Sequence, residues 1–238
     1  MPFKNLSSLI LATATFFLVS CGDDVQPTTF TVTIENISPP DLIDSERAQG
    51  TVPLSPIVWA QYEGDNPMFE NGDKASLGTE RIAEDGFPIE MSAQLGNDED
   101  VINSGIIISP GGPDAGDALF SGESVSFSVT AGEDDKLQII TMFVQSNDWF
   151  MSLGDEGVRL FENGNPINGD ITSFMRIYDA GTEEDTAPGT GDFQKPVQSA
   201  TDVDLGPKED EDIQFAQDRH PSFVIPAPIQ IMKVTIQS

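Results

Sequence analysis

The sequence predicts an all-β fold, an antiparallel β-sandwich with one or two short helices in its connecting loops, and three observations carry that prediction. Apolar and small polar residues alternate with period two in several short runs. Glycine and proline, 21 and 17 of the 238 residues, recur between those runs and confine each to strand length. Helical patterning is restricted to two short stretches, without the regular helix–strand alternation of a parallel sheet.

The first run, TFTVTIENI from Thr29, places Phe30, Val32 and Ile34 on one face with threonines between them, as a half-buried strand requires. KASLGTERIAEDG (74–86) and FPIEMSAQLGND (87–98) can each hold one or two helical turns, and Ser76 stands before Thr79 and Glu80 as an N-cap would. In ESVSFSVTAG (123–132), Val125, Phe127 and Val129 face inward while Ser124, Ser126, Ser128 and Thr130 face out. KLQIITMFVQ (136–145) is apolar on both faces and belongs in the middle of a sheet. DITSFMRIYDA (170–180) and IQIMKVTIQS (229–238) are further strand candidates. The stretch 199–222 is charge-rich and aperiodic, and reads as a long solvated loop. Its Asp202 and Asp204 are spaced as in calcium loops, but the glycine spacing and closing glutamate of an EF-hand are missing.

At the chain start, MPFKNLSSLILATATFFLVS (1–20) has one cation, Lys4, and a short apolar run from Leu9 to Val19. That is the pattern of a cleaved secretory signal; a membrane span needs about 20 continuous apolar residues. LVSC before Gly22 resembles a bacterial lipobox, which implies that Cys21, the only cysteine, becomes a lipidated N-terminus. Residues 21–28 then form a short tether and 29–238 the domain. By the same resemblance Gly22 argues against retention in the inner membrane, and GDDV (22–25) looks like the acidic signals that carry lipoproteins to the cell surface. The expected location is the outer membrane, through a lipid anchor.

The formal charge is −29, and loss of Lys4 with the signal takes it to −30. Such acidity repels nucleic acid, concentrates cations and favours a soluble monomer. A single histidine, His220, and the lack of a G-x-S-x-G elbow remove the basis for serine or cysteine hydrolase chemistry. Forty acidic residues leave a two-carboxylate glycoside hydrolase formally open. His220, before Pro221, reads as a surface loop residue, while Trp59, Trp149 and Phe150 read as core.

ENGDKASLGTERIAEDG (70–86), TMFVQSNDWFMSLGDEGVRLFENG (141–164) and MRIYDAGTEED (175–185) together resemble the spondin N-terminal domain family, in particular its compact bacterial single-domain members. The resemblance rests on the Ala75–Ser76 pair, AEDG at 83–86, the strand end T-M-x-V-x-S-N-D-W-F and Y-D-A-G-T, and covers most of residues 29–197. It implies a C2-like sandwich and a calcium ion held by acidic loop residues at one end. By position the ligands fall on Asp148, Asp179 and Glu183, the last standing where the family carries aspartate. Calcium accepts about six to eight oxygens in flexible geometry, so either Glu183 or Asp185 can complete the set. With Glu183 as the third ligand, Glu184 and Asp185 are left most simply as solvated loop.

The residues support the same chemistry. If the strands ending in QSND and YDAG run in parallel sense, or lie in facing sheets, both acids emerge at one end of the sandwich. Converging carboxylates repel one another unless a cation joins them, and hard oxygen ligands suit Ca²⁺ better than Mg²⁺ or, with one histidine, zinc. Asn147 is a turn residue or an amide-oxygen ligand, and Gly181 lets the chain curl about the ion. The expected function is an envelope or surface lipoprotein that binds calcium and contacts an extracellular protein or glycan in adhesion or envelope assembly. The alternative is a structural lipoprotein without functional metal binding. The cysteines and accessory repeats of the animal members are missing, so their partners do not transfer.

Overall fold

Strands dominate a computed structural model that describes residues 26–109, 118–199 and 203–238. The signal segment, Cys21, the GDDV stretch and Asp202 lie outside the described residues. The strands are β1 (Thr28–Asn36), β2 (Ile57–Tyr62), β3 (Val101–Ile107), β4 (Ser124–Ala131), β5 (Lys136–Met142) and β6 (Trp149–Ser152). Four two-residue strands follow, β7 (Val158–Arg159), β8 (Phe161–Glu162), β9 (Asn165–Pro166) and β10 (Gly169–Asp170), then β11 (Arg176–Asp179), β12 (Gln214–Phe215) and β13 (Met232–Gln237). One sheet has the order β10-β13-β1-β4; the other runs β12-β11-β6-β5-β2-β3, with β7 beside β5, and β8 and β9 form a small hairpin. Every pairing is antiparallel, so the fold is an all-β antiparallel sandwich.

The period-two runs lie where the sequence places them. Phe30, Val32 and Ile34 of β1, with Val125, Phe127 and Val129 of β4, are buried against Ile57, Trp59, Leu137, Ile139 and Met151 of the facing sheet. The outward residues of β1 and β4 pair hydroxyl to hydroxyl, Thr29 with Thr130 and Thr33 with Ser126, both at 2.8 Å. A second apolar layer explains why β5 is apolar on both faces. Helices α1 (Leu77–Asp85) and α2 (Ile89–Leu95) cover the outside of the larger sheet, packing Ile82, Ala83, Met91 and Leu95 against Val58, Tyr62, Ile140, Phe150 and Tyr178. Burying each large apolar side chain there contributes roughly 1.5–3 kcal/mol. Ser76 caps α1 by accepting the Thr79 N–H, and Gly86, at φ 69°, ends it.

Two expectations are corrected. DITSFMRIYDA is not one strand: β10 pairs with β13 in one sheet, a 3₁₀ turn at Thr172–Phe174 carries the chain across, and β11 pairs with β6 in the other. Asp170 Oδ1 drives the turn by accepting the Thr172 N–H at 2.8 Å. The described part of 199–222 is not a solvated loop either. Ile213 and Ala216 are fully buried, β12 extends the sheet beside β11, and a single helical turn, α3 (Ala216–Arg219), folds over the end of the sandwich. A further turn, α4 (Pro228–Ile231), leads into β13. No helix among the described residues is long and apolar enough to cross a membrane.

Both β5 and β11 are antiparallel to β6 and therefore parallel to each other. Their C-terminal ends lie at one edge of the larger sheet, where Asp179 pairs with Trp149 and the Asp148 carbonyl accepts the Ala180 N–H at 3.0 Å. The strand geometry thus delivers the two aspartates to the same place.

Candidate metal centre

Asp148 occupies the last position of the tight turn between β5 and β6. That turn is locked by Ser146, whose hydroxyl donates to the Phe143 carbonyl at 2.7 Å and accepts the Trp149 N–H at 3.0 Å. Asn147 acts as a turn anchor, its Oδ1 accepting the Thr186 N–H and hydroxyl. The Asp148 carboxylate is fully buried. Its Oδ2 accepts the backbone N–H groups of Thr182 and Glu183 at 2.7 and 3.1 Å and the Thr182 hydroxyl at 3.2 Å, while Oδ1 has no partner. Burial, then repulsion from Asp179, pushes its pKa up to about 8 against the pull of those N–H donors.

Asp179, equally buried, ends β11. Its Oδ1 accepts the Gly181 N–H at 2.8 Å, which curls the chain through Gly181 at φ 71°. Its Oδ2 faces His220 Nε2 at 2.8 Å and Arg219 Nε at 3.2 Å. The third acid of this group is Glu209: one carboxylate oxygen each from Asp148, Asp179 and Glu209 lie within 4.8 Å of one another. Glu209 Oε1 is buried without a hydrogen-bond partner, Arg219 Nη1 standing 3.7 Å away, and burial followed by Asp179 raises the pKa of Glu209.

Asp185 extends the same nest from the other side, forming with Asp179 and His220 a second group of close ligand atoms. Far from being solvated, its side chain is buried: Oδ2 accepts from Trp149 Nε1 at 2.7 Å and meets His220 Nε2 at 2.7 Å, while Oδ1 has no partner. Burial, then the charge of Asp148, pushes its pKa to about 10. His220 is no isolated surface residue, since its ring stacks on Phe223 at 4.8 Å and on Trp149 at 5.8 Å. Trp149 and Phe150 are fully buried beneath the loops and Trp59 is nearly so, in keeping with their reading as core.

Glu183 takes a different path. Its backbone N–H serves Asp148, but its side chain joins none of the close carboxylate groups among the described residues. It turns instead toward Lys208 and Glu84. The sequence-based trio therefore divides: Asp148 and Asp179 converge, with Glu209 and Asp185, and Glu183 lies behind them. Glu209 and His220 both come from the segment read as solvated. Their position was signalled only by the short apolar alternation of Ile213 and Phe215 inside the acidic run, which docks that segment against β11. Glu209 is then registered by backbone hydrogen bonds, its N–H to Thr182 and that of Glu211 to Gly181.

No family model matches this chain, and no curated protein matches it in sequence.

Proposed function

We propose that this chain is a lipid-anchored envelope protein whose spondin-like sandwich binds Ca²⁺ at one end, and that the loops around the ion contact an extracellular protein or glycan in adhesion or envelope assembly. One observation supports the calcium reading above the others. Asp148, Asp179 and Glu209 bring carboxylate oxygens within 4.8 Å of one another, and in Asp148 and Glu209 one buried oxygen has no hydrogen-bond partner. Buried polar atoms are rarely left unpaired, and a hard divalent cation satisfies oxygens in this arrangement. Asp148, Asp179 and Glu209 would hold the ion, with Asp185 beside them. A binding role suits carboxylates as buried as Asp148 and Asp179 better than a catalytic one, which needs acids facing a substrate cleft.

A second reading has its own observation. Arg219 and His220 already lie against Asp179 at 3.2 and 2.8 Å, so the Arg219 guanidinium balances part of the charge and the imidazole occupies the same carboxylate oxygen, as in a structural domain without functional metal binding. Melting the soluble domain with calcium and with chelator separates the two. The calcium reading requires a higher melting temperature in calcium, lost on Asp148→Ala with Asp179→Ala; no calcium-dependent shift sinks it.

A further inference from the structure

Behind the first nest lies another that the calcium reading does not use. Glu80 and Glu84, four residues apart on α1, share one helix face, and one oxygen from each lies within 4.8 Å of one from Asp204. Lys208 fills the space between them. Its Nζ is 2.9 and 3.1 Å from the two oxygens of Glu84, 3.8 Å from Glu80 and in direct contact with Asp204. It stands 4.0 Å from Glu183 Oε1. Four carboxylates from three separate stretches of chain thus surround one ammonium group. Arg81 touches the outside of the cluster, 3.3 to 3.9 Å from Glu80, Glu84, Asp85 and Asp204.

The ammonium does not satisfy this nest. Its three protons are drawn to Glu84 and Asp204, and Glu183, 1 % exposed, keeps both oxygens without a hydrogen-bond partner. Burial, then the charge of Glu84, pushes the Glu183 pKa to about 9, and the Lys208 ammonium, with the Asn147 amide, offsets only part of this. The wall behind Glu183 is fitted to it: Gly206 sits at φ 132°, and a Cβ there would lie 2.9 Å from both Glu183 oxygens. Lys208, by contrast, is 43 % exposed and stands at the mouth of an open cleft of about 320 Å³, lined also by Lys74, Glu80, Thr182 and Asp204. It has a route out on a flexible stem.

We propose that Glu80, Glu84, Glu183 and Asp204 form a second divalent-cation site of all-oxygen, calcium-type chemistry, in which the Lys208 ammonium is a tethered substitute cation that an incoming ion displaces. The ligand class follows from the donors: four carboxylates with no imidazole or thiolate among them favour a hard ion. An ion with ligands at about 2.3–2.6 Å would draw in Glu183, which the ammonium leaves at a distance.

The test is calcium titration of the full chain by calorimetry in an Asp148→Asn, Asp179→Asn background, which silences the first centre. Adding Lys208→Met removes the competing charge while keeping the stem, and should tighten one calcium equivalent by about tenfold or more. Adding Glu183→Gln should abolish that equivalent. Calcium binding that Lys208→Met leaves unchanged, or that survives Glu183→Gln, overturns the proposal, as does the absence of binding in every variant. If the background fails to fold, melting of Lys208→Met beside Lys208→Met with Glu183→Gln decides, since the first centre is intact in both: calcium should stabilise the former by more than the latter, sodium chloride at equal ionic strength should not, and an equal calcium response in the two overturns the proposal. An equal effect of the two salts on that difference refutes the tethered-cation assignment. Because the background lacks the first centre, failure here and failure of the calcium reading at Asp148 remain separate results.

Discussion

The buried carboxyl of Asp148 makes a prediction about pH whose sign opposes ordinary acid denaturation. A carboxyl with a pKa of about 3.8 unfolded and about 8 folded binds its proton more tightly in the native state. The unfolded chain then releases protons first, and stability is lost as pH rises through the window between the two values. From pH 5 to pH 8 this single group removes on the order of 4 kcal/mol, at 1.36 kcal/mol per pKa unit. Glu183 and Asp185, raised to about 9 and about 10, act in the same direction. In a domain of this size 4 kcal/mol corresponds to roughly 8–16 °C of melting temperature and is a large part of a typical net stability. The chelated protein should therefore melt higher at pH 5 than at pH 8, and calcium, which binds the ionised form, should flatten the slope by stabilising the high-pH end.

Self-repulsion of the net charge of −29 acts with the same sign, so Asp148→Asn supplies the control. The amide retains a carbonyl oxygen for the Thr182 and Glu183 N–H groups, replaces the unpartnered Oδ1 by NH₂, and removes one charge from the group it forms with Asp179 and Glu209. The substitution should raise the melting temperature of the chelated protein at pH 8 and shrink its pH slope, while weakening the response to calcium. A chelated protein that melts higher at pH 8 than at pH 5, or an Asp148→Asn variant less stable than the parent at pH 8 in chelator, refutes the reasoning.

Two further substitutions probe the frame around the site. Gly181→Ala forces a side chain into φ 71° and brings its Cβ 2.6 Å from the Glu211 carbonyl oxygen; a loss of roughly 2–4 kcal/mol is expected from denaturant midpoints, and a change under about 0.5 kcal/mol would show that the 209–211 segment does not pin the loop. Asn36→Ala removes buried hydrogen bonds to the Val52 and Leu119 carbonyls and to both the N–H and hydroxyl of Ser38; it should cost about 3 kcal/mol by urea unfolding with the calcium response intact.

Local chemistry made much of the fold legible. The alternation in β1 and β4 and the N-cap at Ser76 are decided by neighbours within a few residues, and they sit where the sequence puts them. The division of DITSFMRIYDA was harder to read, because an apolar residue serves equally in either sheet and the crossing depends on the Asp170–Thr172 turn. At the site, Asp148 and Asp179 could be placed from the ends of their strands. Glu209 and His220 could not, since their positions follow from where Ile213 docks, a long-range packing event inside a segment whose composition is that of a loop. Glu183 shows the same limit: a residue four positions beyond Asp179 can face the same ion or its far side, and Gly181 and the bridge to Lys208 decide which.

The placement of β1 between β4 and β13 governs the order in which the domain can assemble. Thr31 faces Gln237 and Thr33 faces Thr235, so the first strand has its full complement of neighbours only when the last one arrives. During synthesis β4 can pair with β1 while the other edge of β1, the one that β13 will cover, stays open, its N–H and C=O groups available to any passing strand. Closure of the smaller sheet joins residues about two hundred positions apart, a slow step that leaves Phe30, Val32 and Ile34 incompletely covered until β13 is in place. Ribosome-bound or C-terminally nicked chains should for that reason be the aggregation-prone species of this protein, and the few residues of β13 its latch.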